Sequence, residues 1–349
     1  MKLKLCLCVF CALVWFLTGC SFNDEASDEI IYYVRAGVYN GEIENGKPNG
    51  LGTIEFKNGD YFEGEVVDGK ISNGTYTYVD GTIYNGEFAN NYFSGDGVIT
   101  FVDGKVYEGE FKDGQITGHG ELTFIDGEGK YIGEFVDGEL HGYGERFFAD
   151  GAVYKGEFVE GKRHGYGEYF FAEGNVYKGE FVEDILHGYG EYFFADGAVY
   201  KGEFVDGELH GKGELLYANG DVYKGEFVEN KCHGYGECFY ANGNVYKGEY
   251  VKDKRHGKGE LLYADGDVYK GEFVEGKCHG YGEYFFADGA VYKGEFVDGE
   301  LHGKGELLFA NGNVYKGEFK NGKLDGEGIY IYADGTVLEG NFENGTFLG

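Results

Sequence analysis

One glycine recurs every 23 residues through most of this 349-residue chain, and that period decides what the chain can fold into. From Gly133 the series runs through Gly156, Gly179, Gly202, Gly225, Gly248, Gly271, Gly294, Gly317 and Gly340. Gly41, Gly64, Gly86 and Gly109 extend it upstream with slips of one residue. A fixed period of this size marks a repeat architecture, in which each unit buries its apolar face only against its neighbours. The unit is not helical, because each glycine inside a helix costs about 1 kcal/mol against alanine. The 66 glycines follow no G-X-Y period and Pro48 is the only proline, which excludes collagen. An aromatic content of 18% offers ample surface to bury, which excludes a disordered chain.

A representative unit, Val153 to Gly174, reads VYKGEFVEGKRHGYGEYFFAEG. It splits into two strand-length runs bounded by turn signals. Asp150-Gly151, Asp196-Gly197, Asn219-Gly220, Asn242-Gly243, Asp265-Gly266, Asp288-Gly289 and Asn311-Gly312 separate successive units. Such dipeptides predict type I′ hairpin turns. Alternation along the first strand sets Tyr154, Gly156 and Phe158 on one face, opposite Lys155 and Glu157. In the second strand Gly165, Gly167, Tyr169 and Phe171 share a side, opposite Tyr166 and Glu168. A lone hairpin is marginal in water, so stacking must supply the stability. The expected fold class is all-β: an elongated single-layer antiparallel β-sheet, a meander or solenoid. It would hold about fourteen 23-residue β-hairpin repeats and extend on the order of 130 Å.

Tyr154, Gly156, Phe158, Gly161, His164, Gly165 and Gly167 together resemble the motif of the MORN repeat family. That motif is a tyrosine, a spaced glycine, an aromatic, a further glycine, then His-Gly-x-Gly. The match runs from Val38 to Gly349. It departs at Lys231 and Lys254, where the mid-unit turn glycine is missing, and at Pro48. The resemblance implies a twisted sheet of hairpins with a scaffolding or membrane-associated role, and a structural part for these seven residues.

The first residues differ in kind. Lys2 and Lys4 precede a thirteen-residue apolar run, Leu5 to Leu17, and Leu17-Thr18-Gly19-Cys20 follows. The run suits the core of an export signal and falls short of the roughly twenty residues a membrane span needs. The segment resembles a bacterial lipoprotein signal, which implies cleavage before Cys20 and a lipid on that cysteine. Ser21 directly after it implies, by the same resemblance, outer-membrane sorting where the cell has two membranes. The expected organisation is a signal peptide over 1–19, a lipidated cysteine and acidic tether over 20–29, and the repeat array over 30–349. Losing Lys2 and Lys4 but no acidic residue takes the formal charge from −32 to −34. A surface so acidic excludes nucleic acid as a partner. Membrane attachment falls to lipid on Cys20, and stable anchoring takes more than one chain.

No constellation in the array carries chemistry. His141, His164, His187, His210, His233, His256, His279 and His302 stand in register. Neighbouring units lie two strands apart, roughly 9.6 Å, whereas zinc ligands converge to about 2.0–2.3 Å from one ion. Asn49, Asn73, Ser94, Thr117 and Asp325 take the same position elsewhere, which suits a side chain tying down a turn. Glu157, Glu180 and Glu203, each with a lysine two residues before, read as a solvated charged face. No serine follows Ser94, and Cys232 beside His233 faces the other way along a strand. Cys232, Cys238 and Cys278 read as apolar fillers. The first and last of them sit about 19 Å apart, beyond the roughly 4.4–6.8 Å of a disulfide. Hence no catalytic residue, metal or cofactor is expected, and the chain is read as a non-enzyme.

Units Gly188 to Gly220 and Gly280 to Gly312 are nearly identical, which favours a repeated surface over one unique site. The functional expectation is a membrane-tethered scaffold of the bacterial cell envelope that holds protein partners along an acidic, tyrosine-rich face. The alternative is a glycan- or cell-wall-binding module, with Tyr166, Tyr189, Tyr235 and Tyr281 as its candidate face.

Overall fold

The computed structural model describes residues 31–34 and 37–349, so the leader, Cys20 and the acidic tether lie outside the described residues. The described chain falls into two compact units, residues 31–174 with 181–184, and residues 175–180 with 185–349. Both are built from one hairpin. In the first unit Val153–Val159 pairs antiparallel with Lys162–Phe170. In the second Val222–Val228 pairs likewise with Lys231–Phe239. The second strand of a hairpin then pairs with the first strand of the next, as Phe239 does with Val245. Within each unit the strands thus follow one another in chain order as an open antiparallel sheet. The chain is all-β, as its periodicity requires, apart from a single 3-10 turn at Ile125–Gly127 among the described residues.

The turn between successive repeats is not the type I′ that the sequence predicts. Between units only the glycine has positive φ: Gly151 at +93°, Gly220 at +91°. Its N–H donates to the carbonyl three residues back, Gly220 to Tyr217 at 2.9 Å, and Tyr217 N–H donates to Asp221 at 2.8 Å. That is a type I turn followed by a left-handed glycine, the three-residue hairpin loop. The two-residue type I′ geometry lies inside the unit, where Glu160 and Gly161 have φ of 49° and 76° between paired Val159 and Lys162. Asp-Gly and Asn-Gly suit both loops; the number of residues between paired positions decides which forms.

The departures assigned to Lys231 and Lys254 fall one residue earlier. Asp184, Asn230 and Asp253 occupy the left-handed turn position, at φ of 74°, 64° and 68°. Asparagine and aspartate tolerate this region best among non-glycine residues. Each also does what glycine cannot: its Oδ1 accepts a backbone N–H from the preceding hairpin. Arg163 donates to Asp184 at 3.0 Å, Leu209 to Asn230 at 2.8 Å, and Cys232 to Asp253 at 2.8 Å. Asn230→Ala therefore loses a staple while keeping the strain, at an expected cost of about 2–3 kcal/mol. Asn230→Gly loses the staple and relieves the strain, so urea unfolding should place it within about 1 kcal/mol of the parent.

The slips in the 23-residue period also have local causes. A regular hairpin carries two extra residues in its second strand, since Gly156 pairs with Gly167 while Glu157 pairs with His164. In the short unit Gly64 pairs with Gly74, Glu65 with Asn73 and Val66 with Ile71, leaving only Ser72 extra. The long unit inserts the 3-10 turn. Arg146 holds it, with its guanidinium 3.7 Å from the Phe124 ring centre and Nη2 donating to Glu128 O at 3.3 Å.

The core is a row of tyrosines. Tyr154 in the first unit and Tyr200, Tyr246, Tyr269 and Tyr292 in the second are fully buried. Each ring lies flat across a pair of facing glycines, as Tyr223 does over Gly225 and Gly236. Its edges are closed by two aromatic rings, one from its own hairpin and one from the next. Tyr223 meets Phe227 at 5.1 Å and Tyr250 at 5.0 Å, both edge to face. The hydroxyl donates to the backbone, Tyr223 to Glu226 O at 3.0 Å and His233 O at 3.4 Å. For Tyr200, Tyr223 and Tyr246 in the second unit, the next hairpin thereby seals the ring of the one before it.

Candidate functional site

The face opposite the tyrosine core carries the exposed side chains, and a bulge organises it. Gly165 has φ +59°, with an open swing that lets the residue after it stand out from the strand. A Cβ at Gly165 would run into Glu157 Oε2, so the carboxylate lies folded over the glycine. In several hairpins that carboxylate accepts the N–H of the outstanding residue: Glu110 from His119, Glu203 from Lys212, Glu295 from Lys304, each at 3.2 Å. The glutamates Glu157, Glu180 and Glu203 are exposed, as expected of a solvated charged face, and in the hairpins of Glu110, Glu203 and Glu295 the carboxylate also caps the bulge. A bulge fixed by such a cap aims its outstanding side chain in a set direction.

Tyr166 in the first unit and Tyr189, Tyr235 and Tyr281 in the second occupy that outstanding position and are 57%, 59%, 56% and 60% exposed. Tyr143 takes the same place in the first unit. Alongside runs a charge ladder in which each first-strand lysine meets the glutamate of the strand before it. In the second unit Lys201 pairs with Glu191 at 2.9 Å, Lys224 with Glu214 at 3.1 Å, Lys247 with Glu237 at 3.1 Å and Lys270 with Glu260 at 3.1 Å. Lysine and glutamate alternate strand by strand, so this row is charge-balanced in a chain of net −32. Beside it lies an apolar row, Leu216, Val222, Phe239, Val245 and Leu262, matched across successive strands.

The seven motif residues divide by role. Tyr154, Gly156, Phe158 and Gly167 belong to the buried face, Gly161 to the type I′ turn and Gly165 to the bulge. His164 pairs across from Glu157, and at this position it is the backbone carbonyl that the structure engages, as His210 O accepts from Tyr200 at 3.2 Å. Where the position holds Asn49 or Asp325 the side chain does reach the next turn, accepting from Asp68 at 3.4 Å and Asn344 at 3.3 Å. Among the described residues no group of histidine, cysteine and acidic side chains is placed to hold a metal. Cys232, Cys238 and Cys278 are free and buried. Burial pushes the Cys232 thiol up to about 12 and that of Cys278 up to about 11, so neither is a thiolate at neutral pH.

Two features escaped the sequence reading. An Asp or Asn before the first strand accepts the N–H of an alanine in the following turn: Asp221 from Ala241 and Asp267 from Ala287 at 2.8 Å, Asn244 from Ala264 at 2.9 Å. The other is the alternation of tyrosine and lysine at the bulge of the second unit. It is legible as Gly-Tyr-Gly against Gly-Lys-Gly in successive repeats, once the bulge shows that the middle residue is the exposed one.

The MORN repeat family model matches thirteen consecutive stretches: residues 39–61, 62–83, 84–106, 107–129, 131–153, 154–176, 177–199, 200–222, 223–245, 246–268, 269–291, 292–314 and 315–337. No curated protein matches the chain. Among solved structures, the TCP10 domain of Danio rerio CPAP in complex with a peptide of Danio rerio STIL is 14% identical with a TM-score of 0.34, covering 63% of this chain and 93% of that one. The SAS-4 (dCPAP) TCP domain of Drosophila melanogaster, in complex with a proline-rich motif of Ana2 (dSTIL), is 14% identical with a TM-score of 0.29, covering 51% and 90%. Virginiamycin B lyase from Staphylococcus aureus is 11% identical with a TM-score of 0.13, covering 88% and 96%. Likenesses this slight carry no functional argument.

Proposed function

We propose that this chain, which belongs to the MORN repeat family, is a non-catalytic binding scaffold of the bacterial cell envelope, tethered to its membrane by lipid on Cys20. The observation that carries the reading is the bulge row, in which capped backbone presents one exposed side chain per hairpin. Such a row is built to hold a partner along a length rather than to enclose a substrate. In the first unit the row varies, with Leu51, Asp96, His119, Tyr143 and Tyr166 in turn, and Leu51 is 68% exposed. Variation of this kind suits a protein partner, which needs a particular set of contacts. A photo-crosslinking residue at Leu51 or Tyr143 in intact cells should trap a discrete protein. Adducts no different from those at Lys57, off the row, would count against the reading.

The tether has its own test. Cys20→Ala should leave an uncleaved precursor without lipid, seen as a band of higher mass that takes up no labelled fatty acid. Normal processing of that variant would remove the lipoprotein part of the proposal and leave the scaffold part standing.

A further inference from the structure

We infer that the bulge row of the second unit is a binding surface for a linear, uncharged glycan laid across the strands. From Tyr189 to Lys304 the row reads Tyr189, Lys212, Tyr235, Lys258, Tyr281, Lys304, a strict alternation that Glu327 ends. All six side chains are exposed. The inference rests on the scaffold reading above and names the partner class of this part of it.

Three observations point to that class. The surface is itself periodic, with equivalent side chains recurring every two hairpins, four strands or roughly 19 Å, about the length of two disaccharides in an extended β-linked glycan. A ligand that uses such a surface repeats as well; a globular protein would find the same contact in several registers. The chemistry is that of a sugar ring: tyrosine rings offer apolar faces with a polar edge, against which the C–H face of a pyranose can lie. The paired Lys–Glu ladder alongside, such as Lys293 with Glu283 and Lys316 with Glu306, offers donors and acceptors for hydroxyl groups at each step. Charge supplies the third. The ladder is balanced and the chain strongly acidic, so a polyanion is repelled and an uncharged polymer is not. Lys212, Lys258 and Lys304 make no ion pair among the described residues, unlike the ladder lysines. Each therefore has its ammonium free to donate to hydroxyl or acetamido oxygens between two stacked sugars. Three rings along one chain bind as linked sites, so modest single contacts multiply.

The test is retention of the full chain, in detergent, on two uncharged polymers, insoluble chitin and microcrystalline cellulose. Saturable retention is expected on at least one polymer. The triple variant Tyr189→Ser, Tyr235→Ser, Tyr281→Ser should lower apparent affinity about tenfold or more with an unchanged melting profile, since these rings lie outside the core. The ring-preserving triple change to Phe should keep most of the binding, and Lys212→Gln, Lys258→Gln, Lys304→Gln should weaken it less than the Ser triple. Absence of retention on both polymers, or equal retention by parent and Ser triple, overturns the inference. Protein crosslinks lost in the Ser triple without glycan retention would also overturn it and assign the row to a protein. Neither result touches the scaffold reading, which stands or falls on the crosslinks at Leu51 and Tyr143.

Discussion

Gly236→Ala is expected to cost about 2–4 kcal/mol and to open the second unit locally, although it adds one methyl group to a sheet. A Cβ at this position would sit 2.5 Å from both Cε2 and the hydroxyl of Tyr223. Across the strand pair, a Cβ at Gly225 would meet the same hydroxyl at 2.5 Å and Gly236 Cα at 2.7 Å. The obstacle is the face of a fully packed ring. That ring cannot lift, because Phe227 and Tyr250 close its edges. Displacing it would break its hydrogen bond to Glu226 O and expose apolar area in two adjacent hairpins. Hydrogen exchange should show the damage as lost protection in the strands Val222–Val228, Lys231–Phe239 and Val245–Val251, with the hairpins beyond Gly276 keeping theirs. That pattern is expected because a repeat array is stabilised by nearest neighbours only. Uniform loss along the unit, or no loss, would contradict the packing described here. Gly220→Ala is the control. Its φ of +91° is strained for alanine, but Cβ would find only Ala241, at 3.6 Å, so the expected cost is about 1 kcal/mol.

The repeat, the hairpin and the buried tyrosine–glycine–phenylalanine face were legible from the chain alone because strand alternation is a local property. Tyr154, Gly156 and Phe158 fall on one side by counting. What counting misses begins at the bulge. Two residues are inserted between Gly167 and His164, so the alternation of the second strand restarts, and Glu157, still exposed, lays its carboxylate over Gly165. The turn types escaped for a related reason, since Asp-Gly gives no loop length. The staples of Asp184, Asn230 and Asp253 join residues 21 positions apart. Such a contact exists only once the strands are in register. The exposed row, and with it the candidate binding face, was visible as tyrosines but not as an ordered set, because order depends on the bulge.

The second large effect separates the ring from its hydroxyl. Tyr269→Ala should cost about 3–5 kcal/mol, the range for removing a buried aromatic side chain when its surroundings cannot collapse. Collapse is blocked here because the floor of the cavity is the backbone of Gly271 and Gly282, fixed by the sheet, and its walls are Phe273 at 5.1 Å and Phe296 at 4.9 Å. Tyr269→Phe keeps both edge-to-face contacts and loses only the donor that reaches Glu272 O at 2.9 Å and His279 O at 3.3 Å. Its expected cost is about 1–2 kcal/mol, set by two carbonyl oxygens left without that partner. Urea unfolding of the pair should therefore differ by about 1–4 kcal/mol. If the two variants proved equal, the hydroxyl bridge rather than ring packing would hold the hairpins together. The outward face depends on the same balance. Glu272, whose carbonyl takes the Tyr269 hydroxyl, also lays its carboxylate over Gly280, the bulge glycine that positions Tyr281. Loss of the Tyr269 hydroxyl should thus loosen the exposed tyrosine on the opposite face, and a shift in Tyr281 side-chain NMR in Tyr269→Phe as well as in Tyr269→Ala would show that coupling.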